Sequence, residues 1–239
     1  MASLDSVLVR KNLAMGVIRQ WGTDGPVAFR LRYIGTGTVT SVTVTTATNI
    51  VLITSDGGTD TYTFATYTTV GAVIDAINAD GIFEAKVLDC LRSLNVDATS
   101  RLLDGAITSG TDADGLTVWD AKTDTSVALE IGVCLTPSYN HGSFLAPKGH
   151  RVHLQEIIYS VNMGTAAVDS VQIWKRKKAT ETQLVGMLSV DTTETTIRFS
   201  NGEGVISGGE DEDLIVLVKD AATLADATGN FVRAIGSVE

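Results

Sequence analysis

The residue types that most often carry chemistry are sparse in this sequence. Its three histidines are His141, His150 and His153. Because His150 and His153 are an odd number of positions apart, a strand would place their side chains on opposite faces, which does not favour a shared metal ion. The sequence contains no nucleophile-elbow motif, no P-loop and no dinucleotide-binding fingerprint. We therefore predict no catalytic, cofactor-binding or metal-binding residue, no cofactor, and a protein that is not an enzyme.

Two further motifs have simple structural interpretations. The two cysteines, Cys90 and Cys134, lie in apolar surroundings and are too few for a disulfide framework, so we expect both to be small core residues. The stretch Asp112-Ala113-Asp114-Gly115 resembles the start of a calcium-binding loop. A complete loop needs a glutamate at its twelfth position, where this sequence has Thr123. We therefore favour a plain turn over a calcium site.

Two clusters of charge lie near predicted turns. Residues 175–178 are Lys-Arg-Lys-Lys, at the end of a strand, and residues 210–213 are Glu-Asp-Glu-Asp. One interpretation is two solvated turns. The other is a pair of complementary patches that meet between subunits, steer assembly and set its register.

The charge balance argues against nucleic acid as a partner. The sequence has 18 Lys and Arg against 28 Asp and Glu, so its formal net charge is −10, whereas phosphate binding depends on clustered Lys and Arg. Its longest aliphatic run, residues 214–218, is far shorter than the roughly 20 residues of a membrane helix. The N-terminal residues lack the apolar core of a signal peptide. We expect synthesis in the cytoplasm and no membrane partner.

The clearest predicted element is a helix in the first half of the chain. Its apolar stripe has helical spacing and consists of Val70, Val73, Ile74 and Ile77. Thr68 or Thr69 can cap its first turn, and Gly81 can end it because glycine tolerates the left-handed conformation of helix ends. Alternating patterns predict strands on both sides, at 27–34, 39–46, 49–55 and 83–87, with a hairpin turn at 56–58.

These patterns predict a mainly β protein: a small α+β module, with one helix on a sheet, followed by a β-sandwich that is jelly-roll-like or immunoglobulin-like. Residues 1–26 form either an N-terminal strand or an arm that pairs with a neighbouring subunit. Residues 27–135 form the module with a β extension. Residues 136–149 contain two prolines and are expected to be a linker or exposed loop. Residues 150–239 form the sandwich.

The segment from Val39 to Leu88 resembles a module of tailed-bacteriophage virion proteins, and a similar pattern occurs in flagellar hook-associated proteins. The resemblance depends on a threonine-rich strand, an Asp-Gly hairpin, the strand with Tyr62-Thr63-Phe64, the helix end Ala76-Ile77-Asn78, and a strand with small residues. It covers about a fifth of the chain.

The resemblance implies a non-catalytic structural protein of a virion, made in the host cytoplasm. We expect a homo-oligomeric decoration or cement protein that binds the head surface, with the major capsid protein as its partner. One alternative is a tail or neck structural protein that binds other tail or neck proteins. Another is a cell-surface or carbohydrate-binding module, although Trp174 is the only tryptophan in the second domain.

Overall fold

The computed structural model describes residues 11–17, 27–88, 90–97, 101–108, 115–120, 130–135, 141–145, 151–160, 170–177, 179–189, 195–198, 205–207, 212–219 and 231–238. The chain divides into two compact units. We call residues 24–139 the central unit, and residues 1–23 together with 140–239 the terminal unit.

Most of the described residues lie in β-strands. The strands are β1 (Lys11–Val17), β2 (Val27–Tyr33), β3 (Val39–Thr45), β4 (Asn49–Thr54), β5 (Gly58–Thr63), β6 (Phe83–Val87), β7 (Gly105–Ile107), β8 (Leu116–Asp120), β9 (Glu130–Cys134), β10 (His141–Leu145), β11 (Arg151–Ser160), β12 (Ser170–Lys177), β13 (Thr180–Ser189), β14 (Thr195–Arg198), β15 (Val205–Ser207), β16 (Glu212–Lys219) and β17 (Phe231–Val238), with helix α1 (Val70–Asp80) between β5 and β6. All paired strands are antiparallel. The predicted class, mainly β with one helix on a sheet, is confirmed.

Two sheets and the helix of the central unit enclose one hydrophobic core. Sheet I has the order β6-β2-β9-β8, and sheet II has the order β5-β4-β3-β7. Strands β2, β4 and β6 alternate, so that every second side chain enters the core. The largest fully buried side chains of the core include Phe29, Leu31, Ile50, Leu52, Phe64, Ile74 and Phe83. Burial of these side chains is the main stabilising term for the unit.

Helix α1 begins and ends where its sequence predicts. Thr69 is the N-cap, and its side-chain oxygen accepts a hydrogen bond from the backbone N–H of Ala72 at 3.2 Å. Gly81 ends the helix with φ +73°. The predicted apolar stripe is buried in full. Backbone N–H groups of the first turn are also satisfied, because Val70 donates to the carbonyl of Leu94 and Gly71 donates to that of Arg92.

The Asn at the helix end has a definite structural role. The Asn78 side chain accepts from the backbone N–H of Ala85 at 2.7 Å and donates to the backbone carbonyl of Ala85 at 3.0 Å. Ala85 lies in β6, at the edge of sheet I. The Asn78 amide therefore satisfies both backbone hydrogen-bonding groups of Ala85 in an edge strand, and it links the helix to sheet I.

We expect Asn78→Ala to destabilise the central unit by about 1–2 kcal/mol, because the buried backbone of Ala85 loses both partners. The sign of the effect is informative, since alanine is the better helix former by roughly 0.5 kcal/mol and would stabilise a helix without this contact. Asn78→Asp is the matched variant: its carboxylate can accept from Ala85 but cannot donate to it, so we expect a loss here too. Urea unfolding measures both. A stabilised Asn78→Ala variant would contradict the proposed role.

The terminal unit contains two further sheets. Sheet III has the order β1-β17-β11-β14, with β15 also paired to β11, and sheet IV has the order β10-β16-β12-β13. Strand β1 pairs with β17 of the same chain over Lys11–Val17. The face-to-face stacking of a β-sandwich stays a prediction.

The stretch predicted to be a linker contains a strand. Within residues 136–149, His141–Leu145 forms β10 and pairs with β16, so the expectation of a linker or loop is wrong for these five residues. The two prolines, Pro137 and Pro147, lie on either side of the strand rather than within it. A strand this short leaves too little alternation to be recognised between two prolines.

Candidate interaction surface

The outer face of sheet II consists of side chains without charge. The register places its outward residues in three rows across the strands. The rows are Thr43, Val51, Thr61 and Ala106; Ser41, Ile53 and Thr59; and Thr45, Asn49 and Thr63. We call these residues the neutral face. None of them is buried: about half are exposed and the others are half-buried.

The neutral face has an apolar centre and a hydroxyl-rich surround. Val51 and Ile53 are neighbours on the outer side of β4, between β3 and β5. The threonines around them carry hydroxyls that can both donate and accept hydrogen bonds. An apolar centre with a polar rim is the usual composition of a protein–protein interface.

The outer face of sheet I has the opposite character. Arg30 forms ion pairs with Glu130 at 3.0 Å and with Glu84 at 3.9 Å, and Arg32 approaches Glu84 at 3.8 Å. These side chains are partly exposed. A face covered by such mixed pairs is well solvated and suits contact with water. The two sheets share a core, and only sheet II presents an outer face without charge.

One end of the neutral face is held by a network around Asp56, in the turn between β4 and β5. The Tyr33 hydroxyl lies 2.7 Å from both Asp56 carboxylate oxygens and donates to that carboxylate. The backbone N–H groups of Thr36 and Gly37 donate to Asp56 Oδ2 at 2.8 and 2.9 Å. The network fixes the loop between β2 and β3 against the β4–β5 turn.

The opposite end is held by Thr46, which follows β3. Its backbone N–H donates to the Asp104 carboxylate, and its hydroxyl donates to the backbone carbonyl of Leu102. Both contacts lie next to the short edge strand β7. The neutral face is thus fixed at both ends of β3 by contacts that do not use its own outward side chains.

The Asp56 network also makes stability depend on pH. Hydrogen bonding, first from Tyr33 and then from the Gly37 and Thr36 amides, holds the pKa of Asp56 below its usual range. Burial raises the pKa of the Tyr33 hydroxyl, and its bond to Asp56 raises it further. A carboxylate whose pKa is lowered by folding stabilises the fold above the unfolded pKa, and this contribution is lost as pH falls through the folded pKa.

We expect Tyr33→Phe to lower the urea midpoint at neutral pH, because it removes the main cause of the lowered Asp56 pKa. The difference between variant and wild type should shrink as pH falls below about 4, the ordinary pKa of an aspartate. Urea titrations over a pH series measure this. A difference that stays constant down to the lowest pH would show that Asp56 is not the group responsible.

The structure places the predicted cysteines in the core and leaves most other candidates apart. Cys90 and Cys134 are both buried, and the Cys90 thiol donates to the carbonyl of Ala28 at 3.3 Å. His141 lies in β10 of sheet IV and His153 in β11 of sheet III. His150, Asp112 and Asp114 are outside the described residues. Among those that are described, no group of three or more His, Cys, Asp and Glu could hold a metal ion.

The described residues of the two charge clusters lie on neighbouring strands of sheet IV, and Lys178, Glu210 and Asp211 are outside the described residues. Arg176 of β12 is buried and faces Glu181 of β13 in the strand register, and Lys177 faces Glu212 of β16. Opposite charges in directly opposed positions stabilise neighbouring strands. These two register pairs lie within one chain, and the hypothesis of complementary patches that meet between subunits stays a prediction.

Sequence reasoning missed the neutral face. The alternation of valine and threonine in β3 was visible, but the pairing of three strands is needed before their outward residues form one surface.

No protein-family model matches the chain, and no curated protein matches it either. Within the described ranges, no helix has the length and apolar character required to cross a membrane.

Proposed function

We propose that this chain is a non-catalytic structural protein of a tailed-bacteriophage virion, a decoration or cement protein that binds the head surface as a homo-oligomer. The observation that carries the proposal is the neutral face. It joins Val51 and Ile53 to a surround of hydroxyls in a chain of net charge −10. A surface of this kind is suited to burial against another protein, since no charge has to be desolvated.

The helical module gives further support. The elements that resemble a phage virion module, β3 to β6, lie around one core with α1. Two residues from the motifs that carry the resemblance form specific contacts. Asn78 binds the backbone of β6. Tyr62 is buried, and its hydroxyl donates to Asp80 at the end of α1 at 2.6 Å. These contacts link α1 to both sheets of the unit, and one of these sheets, sheet II, carries the neutral face.

The acidic balance of the chain fits a role on the outside of a particle. Acidic side chains repel nucleic acid, so the protein would not be drawn to packaged or free DNA. A decoration protein must instead recognise other proteins, the major capsid protein and its own copies. A neutral contact surface permits binding to both of these partners, because it avoids the repulsion that the net negative charge of the chain would otherwise cause.

Reconstitution on particles tests this function. Heads made without the gene are mixed with purified chain and recovered by sedimentation. We expect saturable binding to heads, weaker for Thr61→Asp, which puts a charge on the neutral face. Thr66→Asp is the matched control, because Thr66 is exposed in the turn after β5 and outside that face. Binding to isolated tails alone would support the tail or neck alternative, and binding only to glycans would support the carbohydrate-binding alternative.

A further inference from the structure

We infer that the neutral face is a contact between two copies of this chain, with the outer faces of two sheets II packed against each other. This inference rests on the proposed assembly role and names the partner. Sheets in proteins commonly stack face to face, with outward side chains of both sheets in contact. The neutral face extends over β3, β4 and β5, with Ala106 of β7 at its edge.

Hydrogen bonding permits this face to bind a copy of itself. A face that carries charges of one sign is not complementary to itself, because carboxylates only accept and ammonium groups only donate. The hydroxyls of Thr43, Thr59 and Thr61 can take either role. Val51, at the centre of the middle row, would lie close to Val51 of the second copy if the two copies are related by a twofold axis.

The distribution of charge favours the outer face of sheet II over that of sheet I as the contact between two copies. Two copies of a chain with net charge −10 repel each other, and this repulsion is locally smallest where a surface carries no charge. The outer face of sheet I carries Arg32 and Glu84. Asp56 and Asp104 lie in the connections at the two ends of the neutral face. Their negative charge adds to the repulsion between two copies, and salt would screen it.

The area of the face indicates a weak contact. Three strands of about six residues span roughly 300–400 Å² per copy, given strand spacings of about 4.8 Å and a rise of about 3.4 Å per residue. A stable interface usually buries about 800 Å² per partner. Such a contact becomes effective when many copies are held on one surface, since neighbouring contacts then add.

Sedimentation velocity of the full chain at rising concentration tests the inference. We expect association that increases with salt, because salt screens the repulsion between the acidic rims. Thr61→Asp should weaken association at least tenfold, whereas Thr66→Asp should leave it within twofold of wild type; both substitutions add one negative charge at an exposed threonine. Thermal unfolding checks that both variants are folded.

A charge-swap mixture separates self-pairing from docking onto another surface. Val51→Asp and Val51→Lys should each associate poorly, and an equimolar mixture should associate more strongly than either alone, because the new charges meet across the contact. Absence of this rescue, or association equal in Thr61→Asp and wild type, would overturn the inference. If heads still bind the wild-type chain in that case, the proposed function stands and only the partner is wrong.

Discussion

Ile50→Ala should destabilise the central unit by about 2–5 kcal/mol, the usual cost of truncating a fully buried isoleucine. Ile50 is fully buried in β4, in a row with Val44 of β3 and Tyr62 of β5. Removing its side chain leaves a cavity that the flanking strands can fill only in part. Equilibrium urea unfolding measures the loss, with peptide-resolved hydrogen exchange assigning the transition to residues 24–139.

Ile53→Ala is the matched control for this prediction. Ile53 lies on the same strand, undergoes the same substitution, and belongs to the neutral face instead of the core. The change in strand propensity is the same for both positions, so the difference between them reports burial. We expect a loss of about 1 kcal/mol. Equal losses would place Ile53 inside a core and leave the account without an interaction surface.

Gly115→Ala should cost about 3–4 kcal/mol, since it combines backbone strain with a steric clash. Gly115 has φ +75°, and a Cβ at this position would lie 2.5 Å from the carbonyl oxygen of Asp104 and 2.6 Å from Leu103 Cβ. Its own carbonyl accepts from the N–H of Cys134 at 2.9 Å. We therefore expect the variant to weaken the pairing of β8 with β9 at the edge of sheet I.

Gly81→Ala is the matched control, because it measures the cost of backbone strain without a steric clash. Gly81 has φ +73°, but no atom lies within 4 Å of the position of a Cβ. Only the cost of the left-handed conformation applies, about 1 kcal/mol. Thermal or urea unfolding of the two variants gives the comparison. Similar losses at both positions would show that the tight contact at Gly115 relaxes without cost.

Several local elements of the central unit could be predicted because capping residues or alternation mark them. Thr69 and Gly81 bound the helix, and alternation marks β6 and the second half of β2. The short strand β7 was not predicted, because it lies in a stretch rich in Gly, Ser and Thr, a composition typical of loops. Strand β15, of three residues, was missed in the same way.

Pairing between distant strands could not be predicted, because alternation does not identify a partner. β2 lies between β6 and β9, and β1 pairs with β17 at the other end of the sequence. The same limit applied to the charges: only the register shows that Lys177 faces Glu212. The neutral face depends on three strands in register, and so it became visible only in the structure.

Gold-labelled antibody imaging tests most directly the proposal that this chain is a structural component of a virion. Particles produced by the phage or prophage that carries the gene are labelled with an antibody against the chain. We expect regular labelling over the heads. Labelling confined to the neck or tail would move the protein to that part of the particle. Intact particles that carry no label, and no chain by mass spectrometry of the purified virions, would contradict the claim.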